Sequence, residues 1–234
     1  MHPLLAEFFG TALLLFLGNG VVANVVLHKT KGHGSGWLVI TFGWSMAVFV
    51  AVLVAGKYSG AHLNPAVTIA LALKTGDWSN AATFILAQFS GAMVGSFLVW
   101  VMHRQHFDAT PDPDAKLAVF CTAPAIRSPL LNLLSETAGT FVLVTAVFHI
   151  SAPEAKIGSL DALPVALVVL AIGICLGGTT GYAINPARDL GPRIVHFLLP
   201  LKGKRDSDWS YSWIPVVGPL LGALVAVGAY KLLT

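Results

Sequence analysis

Charged residues are almost absent from six stretches of this chain, 4–27, 37–56, 81–102, 129–150, 161–178 and 213–233, each carrying at most one Asp, Glu, Lys or Arg. At about 1.5 Å of rise per residue, each run as a helix crosses a hydrocarbon core about 30 Å thick. Helices are the form to expect, because a span must satisfy its own backbone hydrogen bonds where no water reaches. A chain of 234 residues that is 56% hydrophobic and 11% charged, with mean hydropathy +0.76, is too apolar for one water-soluble core. The first run is read as a span and not a cleaved leader, since it contains Glu7 and no basic segment precedes it. The isoelectric point of about 9.0 does not indicate nucleic-acid binding, because the basic residues are scattered with no stripe or aromatic platform. Two cysteines, Cys121 in a loop and Cys175 in a span, form neither a disulfide framework nor a metal spacing. Cys175 is read as a small packing residue, and no metal or cofactor is expected.

The two halves echo one another. Glu7-Phe-Phe-Gly-Thr answers Glu136-Thr-Ala-Gly-Thr 129 residues later, "SGAHLNPAVT" at 59–68 answers "TGYAINPARD" at 180–189 after 121, and Gly91/Gly95 answer Gly218/Gly222 after 127. Three matches in one order at a nearly constant offset indicate an internal duplication. With three spans in each half, the second copy runs through the bilayer in the opposite direction, an inverted repeat whose site is expected near the midplane. The expected organisation is one membrane domain over 1–234, with a first repeat at 1–102, a linker at 103–128 and a second repeat at 129–234. The paired glycines are read as close helix crossings within one subunit.

The runs 65–73 and 186–199 are too short to cross, and each begins Asn-Pro-Ala: Asn64, Pro65, Ala66 and Asn185, Pro186, Ala187. Proline suits a first helical turn, where its missing N–H has no intrahelical partner, and Asn suits the N-cap. Inverted duplication brings two such half-helices together at their N-termini. Their positive dipole ends then add at the centre, with the Asn64 and Asn185 amides offered as donors to a lumen. The extended pieces Gly60-Ala61-His62-Leu63 and Gly181-Tyr182-Ala183-Ile184 are tolerated at this depth only along a wet cavity, which they would line with carbonyl acceptors. The expected fold is therefore an all-α membrane protein of six transmembrane helices plus two re-entrant half-helices.

These motifs resemble those of the aquaporin superfamily over nearly the whole chain. Asp189 directly after Asn-Pro-Ala-Arg is similar to its glycerol-conducting branch, the aquaglyceroporins. The resemblance implies a passive channel for glycerol and other small uncharged solutes with some water, closed to protons and ions. It also implies a homotetramer in the plasma membrane with both termini in the cytoplasm. It places a selectivity filter at Trp44, Gly173, Tyr182 and Arg188, where two aromatic faces meet a carbon backbone and the guanidinium meets hydroxyls. Gly173 is expected to leave room beside Tyr182, and Tyr182, where glycerol facilitators often carry Phe, to narrow the filter slightly or add a polar handle. Backbone carbonyls are expected to orient Arg188, and Asp189 to anchor its loop. By symmetry and resemblance, Glu7 and Glu136 accept hydrogen bonds from the re-entrant loops and take no part in proton relay. His62 is read as a pore-lining donor near the cytoplasmic vestibule.

A pore mainly for water, or for peroxide, urea or small protonated acids, stays open beside the glycerol reading. A coupled transporter would need an ion site, and the only carboxylates in the apolar runs are Glu7, Glu136 and the boundary Asp161. An enzyme is not expected, since no nucleophile, base and orienting group cluster together. One signal opposes the orientation: cytoplasmic termini put four of fourteen basic residues inside, namely Lys57, Lys74, Lys156 and Lys231, whereas loops rich in Lys and Arg usually stay inside.

Overall fold

The computed structural model describes residues 1–150 and 158–234, and Lys156 lies outside them. The described residues fold into α1 (Pro3–Val26), α2 (Trp37–Ser59), α3 (Pro65–Thr75), α4 (Ala81–Ala109), α5 (Pro113–Ala118), α6 (Pro129–Ile150), α7 (Leu163–Cys175), α8 (Pro186–Leu198) and α9 (Ile214–Leu233). Five of these, α1, α2, α4, α6 and α9, are long and apolar enough to cross a membrane.

The sixth run departs from a plain spanning helix. Its α-helical part, α7, is 13 residues long and is prolonged by 3-10 turns at Gly158–Ala162 and Gly177–Thr179. Because 3-10 geometry rises about 2.0 Å per residue, the composite still reaches about 35 Å. Helix α4 also runs past residue 102, so the segment between the halves opens with two further helical turns and then holds α5.

Helix α1 packs on α2 and α4, as α6 packs on α7 and α9. Helix α4 meets α8, as α9 meets α3, and α2 meets α7, so exchanging the halves maps each contact onto another. The paired glycines make the tightest crossings. A Cβ on Gly91 would lie 2.3 Å from the Phe8 carbonyl oxygen and one on Gly95 2.3 Å from that of Ala12, while Gly222 approaches the Thr137 oxygen to 2.4 Å. Any side chain there would separate α1 from α4, or α6 from α9.

Helices α3 and α8, of 11 and 13 residues, rise about 16 and 20 Å and cross the core only as a pair. Asn64 and Asn185 sit at their N-caps in extended conformation. The Asn64 Oδ1 accepts from the Ala66 N–H, and the Asn185 Oδ1 from those of Ala187 and Arg188.

Candidate functional site

The half-helices abut through a reciprocal pair of hydrogen bonds. The Asn64 Nδ2 donates to the Ile184 carbonyl at 2.8 Å, and the Asn185 Nδ2 donates to the Leu63 carbonyl at 2.8 Å. One N–H of each amide is therefore used between the loops, and only the other is left for a solute, half of the donor set expected from the sequence. The same bonds use one of the two acceptor lone pairs of each of the Leu63 and Ile184 carbonyls.

The backbone before each Asn is strained in the same register. Ala61, Leu63, Tyr182 and Ile184 have φ of 51°, 53°, 38° and 44°, a left-handed region that β-branched Ile184 rarely enters. Such residues persist, at about 1–3 kcal/mol each, only where the surroundings over-determine them. Buried carboxylates help to do so. Glu7 accepts from the His62 N–H at 2.9 Å and the Leu63 N–H at 2.7 Å, and Glu136 from those of Ala183 at 3.0 Å and Ile184 at 2.8 Å. The glycine three residues after each Glu receives the neighbouring side chain: a Cβ on Gly10 would lie 2.6 Å from Leu63, and one on Gly139 3.0 Å from Ile184. One helical turn thus fixes both the backbone and the side chain of the residue before each Asn.

A cavity of about 530 Å³ runs past this point. Asn64, Asn185, Trp44, Tyr182 and Arg188 line it, with Gly60, Ala61, His62, Leu63, Ala183 and Ile184 from the two loops. Leu14, Val48, Val52, Val67, Leu143, Val165 and Val169 contribute apolar wall. Gly181 is not among the lining residues, and it packs towards Thr122. The Arg188 guanidinium lies 4.2 Å over the Trp44 ring. No hydrogen bond joins it to a carbonyl among the described residues, contrary to expectation, so aromatic stacking orients it and its N–H donors stay available.

Gly173 also departs from expectation. It does not line the cavity, and it leaves no room beside Tyr182, because the Tyr182 ring fills the space. A Cβ there would lie 2.9 Å from Tyr182 Cζ and 3.0 Å from its hydroxyl oxygen. That hydroxyl is buried with no hydrogen-bond partner among the described residues, so it offers the lumen no polar handle. Trp44 is seated in the same way, on α1, where a Cβ on Gly18 would fall 2.2 Å from the indole.

His62 is bound at Nδ1 to Thr68 Oγ1 at 3.1 Å. Thr68 gives its hydroxyl hydrogen to the Asn64 carbonyl and accepts from Gln88 Nε2, so this network assigns the Nδ1 proton to His62. Neutral His62 then keeps Nε2 as an acceptor, not the donor expected from the sequence. Cys175 is exposed and not packed inside.

Asp189, fully buried, accepts at Oδ2 from the Thr122 N–H at 2.7 Å and the Thr122 hydroxyl at 2.6 Å, and its Oδ1 pairs with Arg193 at 2.8 Å. Arg193 donates onward to the carbonyls of Thr122, Ser207 and Asp208. Asp189 and Arg193 thereby tie α8 to the segment between the halves and to the loop before α9.

A family model described as "Major intrinsic protein" matches residues 1–230. The chain belongs to the major intrinsic protein family. This family member is 54% identical over 233 residues to a glycerol uptake facilitator protein of Streptococcus pneumoniae, covering 99% of both chains. It is 54% identical over 232 residues to a probable glycerol uptake facilitator protein of Thermotoga maritima, again covering 99% of both. A D/L-lactic acid transporter of Lactiplantibacillus plantarum is 40% identical over 231 residues, with 97% of this chain and 95% of that one covered. Among solved structures, the aquaglyceroporin from Plasmodium falciparum matches with a TM-score of 0.85 at 33% identity, covering 97% of this chain and 94% of that one. The fold is thus the aquaporin fold in a multi-pass membrane protein. The sequence assigns no site role to Gly18, Trp37, Thr122 or Arg193, and it shows Gly10 and Gly139 only as part of the repeat. The glycines after Glu7 and Glu136 carried a signal, their repetition, whereas Trp37 and Thr122 carried none.

Proposed function

We propose that this protein is a passive transmembrane channel for glycerol and other small uncharged solutes, with accompanying water, that excludes protons and other ions. The observation that carries this reading is the division of the cavity: the Trp44 and Tyr182 rings form an apolar corner, and Arg188, Asn64 and Asn185 supply donors beside it. A polyol in single file keeps its carbons against the rings and its hydroxyls towards the donors. The loop N–H groups of His62, Leu63, Ala183 and Ile184 are turned to Glu7 and Glu136, so the carbonyls of Gly60, Ala61, His62, Tyr182 and Ala183 act as the acceptors along this path. The names of the two relatives at 54% identity support glycerol as the solute.

In this reading the filter is Trp44, Tyr182 and Arg188, with Gly173 acting as the seat of Tyr182. Arg188 and the two converging helix N-termini present positive potential and repel cations, including hydronium. Glu7, Glu136 and Asp189 serve as structural support, and no chemical step takes place. The unit is one membrane domain with repeats at 1–102 and 129–234 joined by 103–128, assembled as a homotetramer in the cell membrane with cytoplasmic termini. A reporter fused after Thr234 checks the orientation, and an external readout would reverse it.

A second reading, passage of small protonated hydroxy acids, is favoured by the relative named a D/L-lactic acid transporter, since neutral lactic acid is similar to glycerol in size and in its donors and acceptors. Proteoliposomes under glycerol or lactic acid gradients, followed by light scattering, separate the two. Rapid glycerol entry independent of proton or sodium gradients supports the first. Water flux without glycerol entry would defeat it, and entry dependent on an ion gradient would indicate a coupled transporter.

A further inference from the structure

The Tyr182 ring stands between the lumen and α7, and its position is decided by residues that do not themselves face the solute. Two glycines one helical turn apart make the groove that receives it. A Cβ on Gly173 would lie 2.9 Å from Tyr182 Cζ, and one on Gly177 would lie 2.4 Å from Cδ1, 3.0 Å from Cε1 and 3.1 Å from Trp37 Cζ2. Neither glycine has φ in the left-handed region, so the backbone does not demand glycine at either position. What these positions require is the absence of a side chain.

Trp37, at the first position of α2, closes the groove. Its ring meets that of Tyr182 edge to face, with centroids 5.8 Å apart at 83°. Its Nε1 donates to the Gly173 carbonyl at 3.1 Å, a group near the end of α7, where carbonyls lack helical partners. Trp37 therefore binds α7 and Tyr182 together at the outer end of the filter.

Resting on the glycerol-channel reading above, we infer that Gly177 and Trp37 are specificity-determining positioning residues: they hold Tyr182 back against α7 and so set the width of the constriction. A methyl at Gly177 cannot share space with Cδ1 at 2.4 Å, and the side of the ring away from α7 is the lumen, opposite Trp44 and Arg188. The displaced ring narrows the passage most for solutes wider than water.

The test is stopped-flow light scattering on proteoliposomes with the incorporated protein quantified, comparing glycerol and water permeability per channel. Gly177→Ala is expected to lower glycerol permeability about tenfold and water no more than about twofold, the scale on which one methyl group discriminates in a tight site. Trp37→Ala is expected to lower the glycerol-to-water ratio less than Gly177→Ala does, because it removes a support from Tyr182 without adding a clash. The deciding variant is Gly177→Ala placed on Tyr182→Ala: with the ring removed, the added methyl should no longer change the ratio. Equal losses of water and glycerol, an unchanged ratio, or an effect that persists without the Tyr182 ring would each overturn the inference. A parent protein that passes water but no glycerol would refute the glycerol reading instead, and the urea-to-water ratio in the same variants would then decide the role of Gly177.

Discussion

The two re-entrant loops are copies of one design up to the Asn and diverge just beyond it. In both, a buried carboxylate takes two successive backbone N–H groups, a glycine receives the side chain before the Asn, and the Asn bonds across to the other loop. Three and four residues further on, Val67 and Thr68 of the first copy correspond to Arg188 and Asp189 of the second. Thr68 bonds the Asn64 carbonyl, His62 and Gln88, a neutral network, whereas Asp189 with Arg193 forms a buried ion pair that draws in Thr122, Ser207 and Asp208. The far ends differ as well. In the last turn of α3 stands Lys74, whose ammonium lies 4.1 Å over Tyr230 and 4.6 Å over Phe148, while Lys204 donates to the carbonyls of His196, Phe197 and Leu199 at the end of α8. The shared part builds the midpoint of the pore. The divergent part of the second copy carries a charge that lines the cavity, Arg188, and beside it the buried network of Asp189 and Arg193.

The sharpest way to break this comparison is at the divergent position. Asp189→Ala leaves Arg193 buried without its counter-charge and should cost about 3–5 kcal/mol, whereas Thr68→Ala in the first copy takes an acceptor from His62 and Gln88 and should cost about 1–3 kcal/mol. Thermal unfolding in detergent measures both, and equal losses would show that the network is not special to the second half. The shared part is probed by Glu7→Gln and Glu136→Gln. Each sets an amide N–H against a backbone N–H, so each should cost about 1–3 kcal/mol, and the pair should agree within about 1 kcal/mol. A larger gap would mean that Gln88, which also donates to Glu7, makes the first loop a different structure, since Ser59 at Glu7 is matched by Thr180 at Glu136.

Permeation tests the divergence directly. Arg188→Val gives the second copy the residue of the first and should raise the proton leak on the order of tenfold, read with a pH-sensitive dye in vesicles under a potassium diffusion potential. An unchanged leak would assign exclusion wholly to the helix N-termini. The smallest effect is expected at Lys74→Met, which removes an ammonium from two rings and should cost about 0.5–1 kcal/mol in the same unfolding measurement. A loss of several kcal/mol would make that aromatic clasp a main support of α3.

What could be read in the sequence was what short windows encode. Charge-free runs mark the spans, Asn-Pro marks a helix start through the N-cap and the absent N–H, and duplication with an odd number of spans requires inversion. These follow from interactions within a few residues or from the bilayer itself. Residues brought together only by packing were not legible. Trp37 and Gly173 are 136 positions apart and joined by one hydrogen bond, Thr122 reaches Asp189 across 67, and each Asn spends an N–H on a carbonyl about 120 positions away. Composition therefore determined that this chain crosses the membrane, and repetition determined that two half-helices meet within it. Tertiary structure alone decided which amide protons remain for a solute and that glycines seat Trp44 and Tyr182, because donor use and ring position depend on contacts between helices distant in the chain.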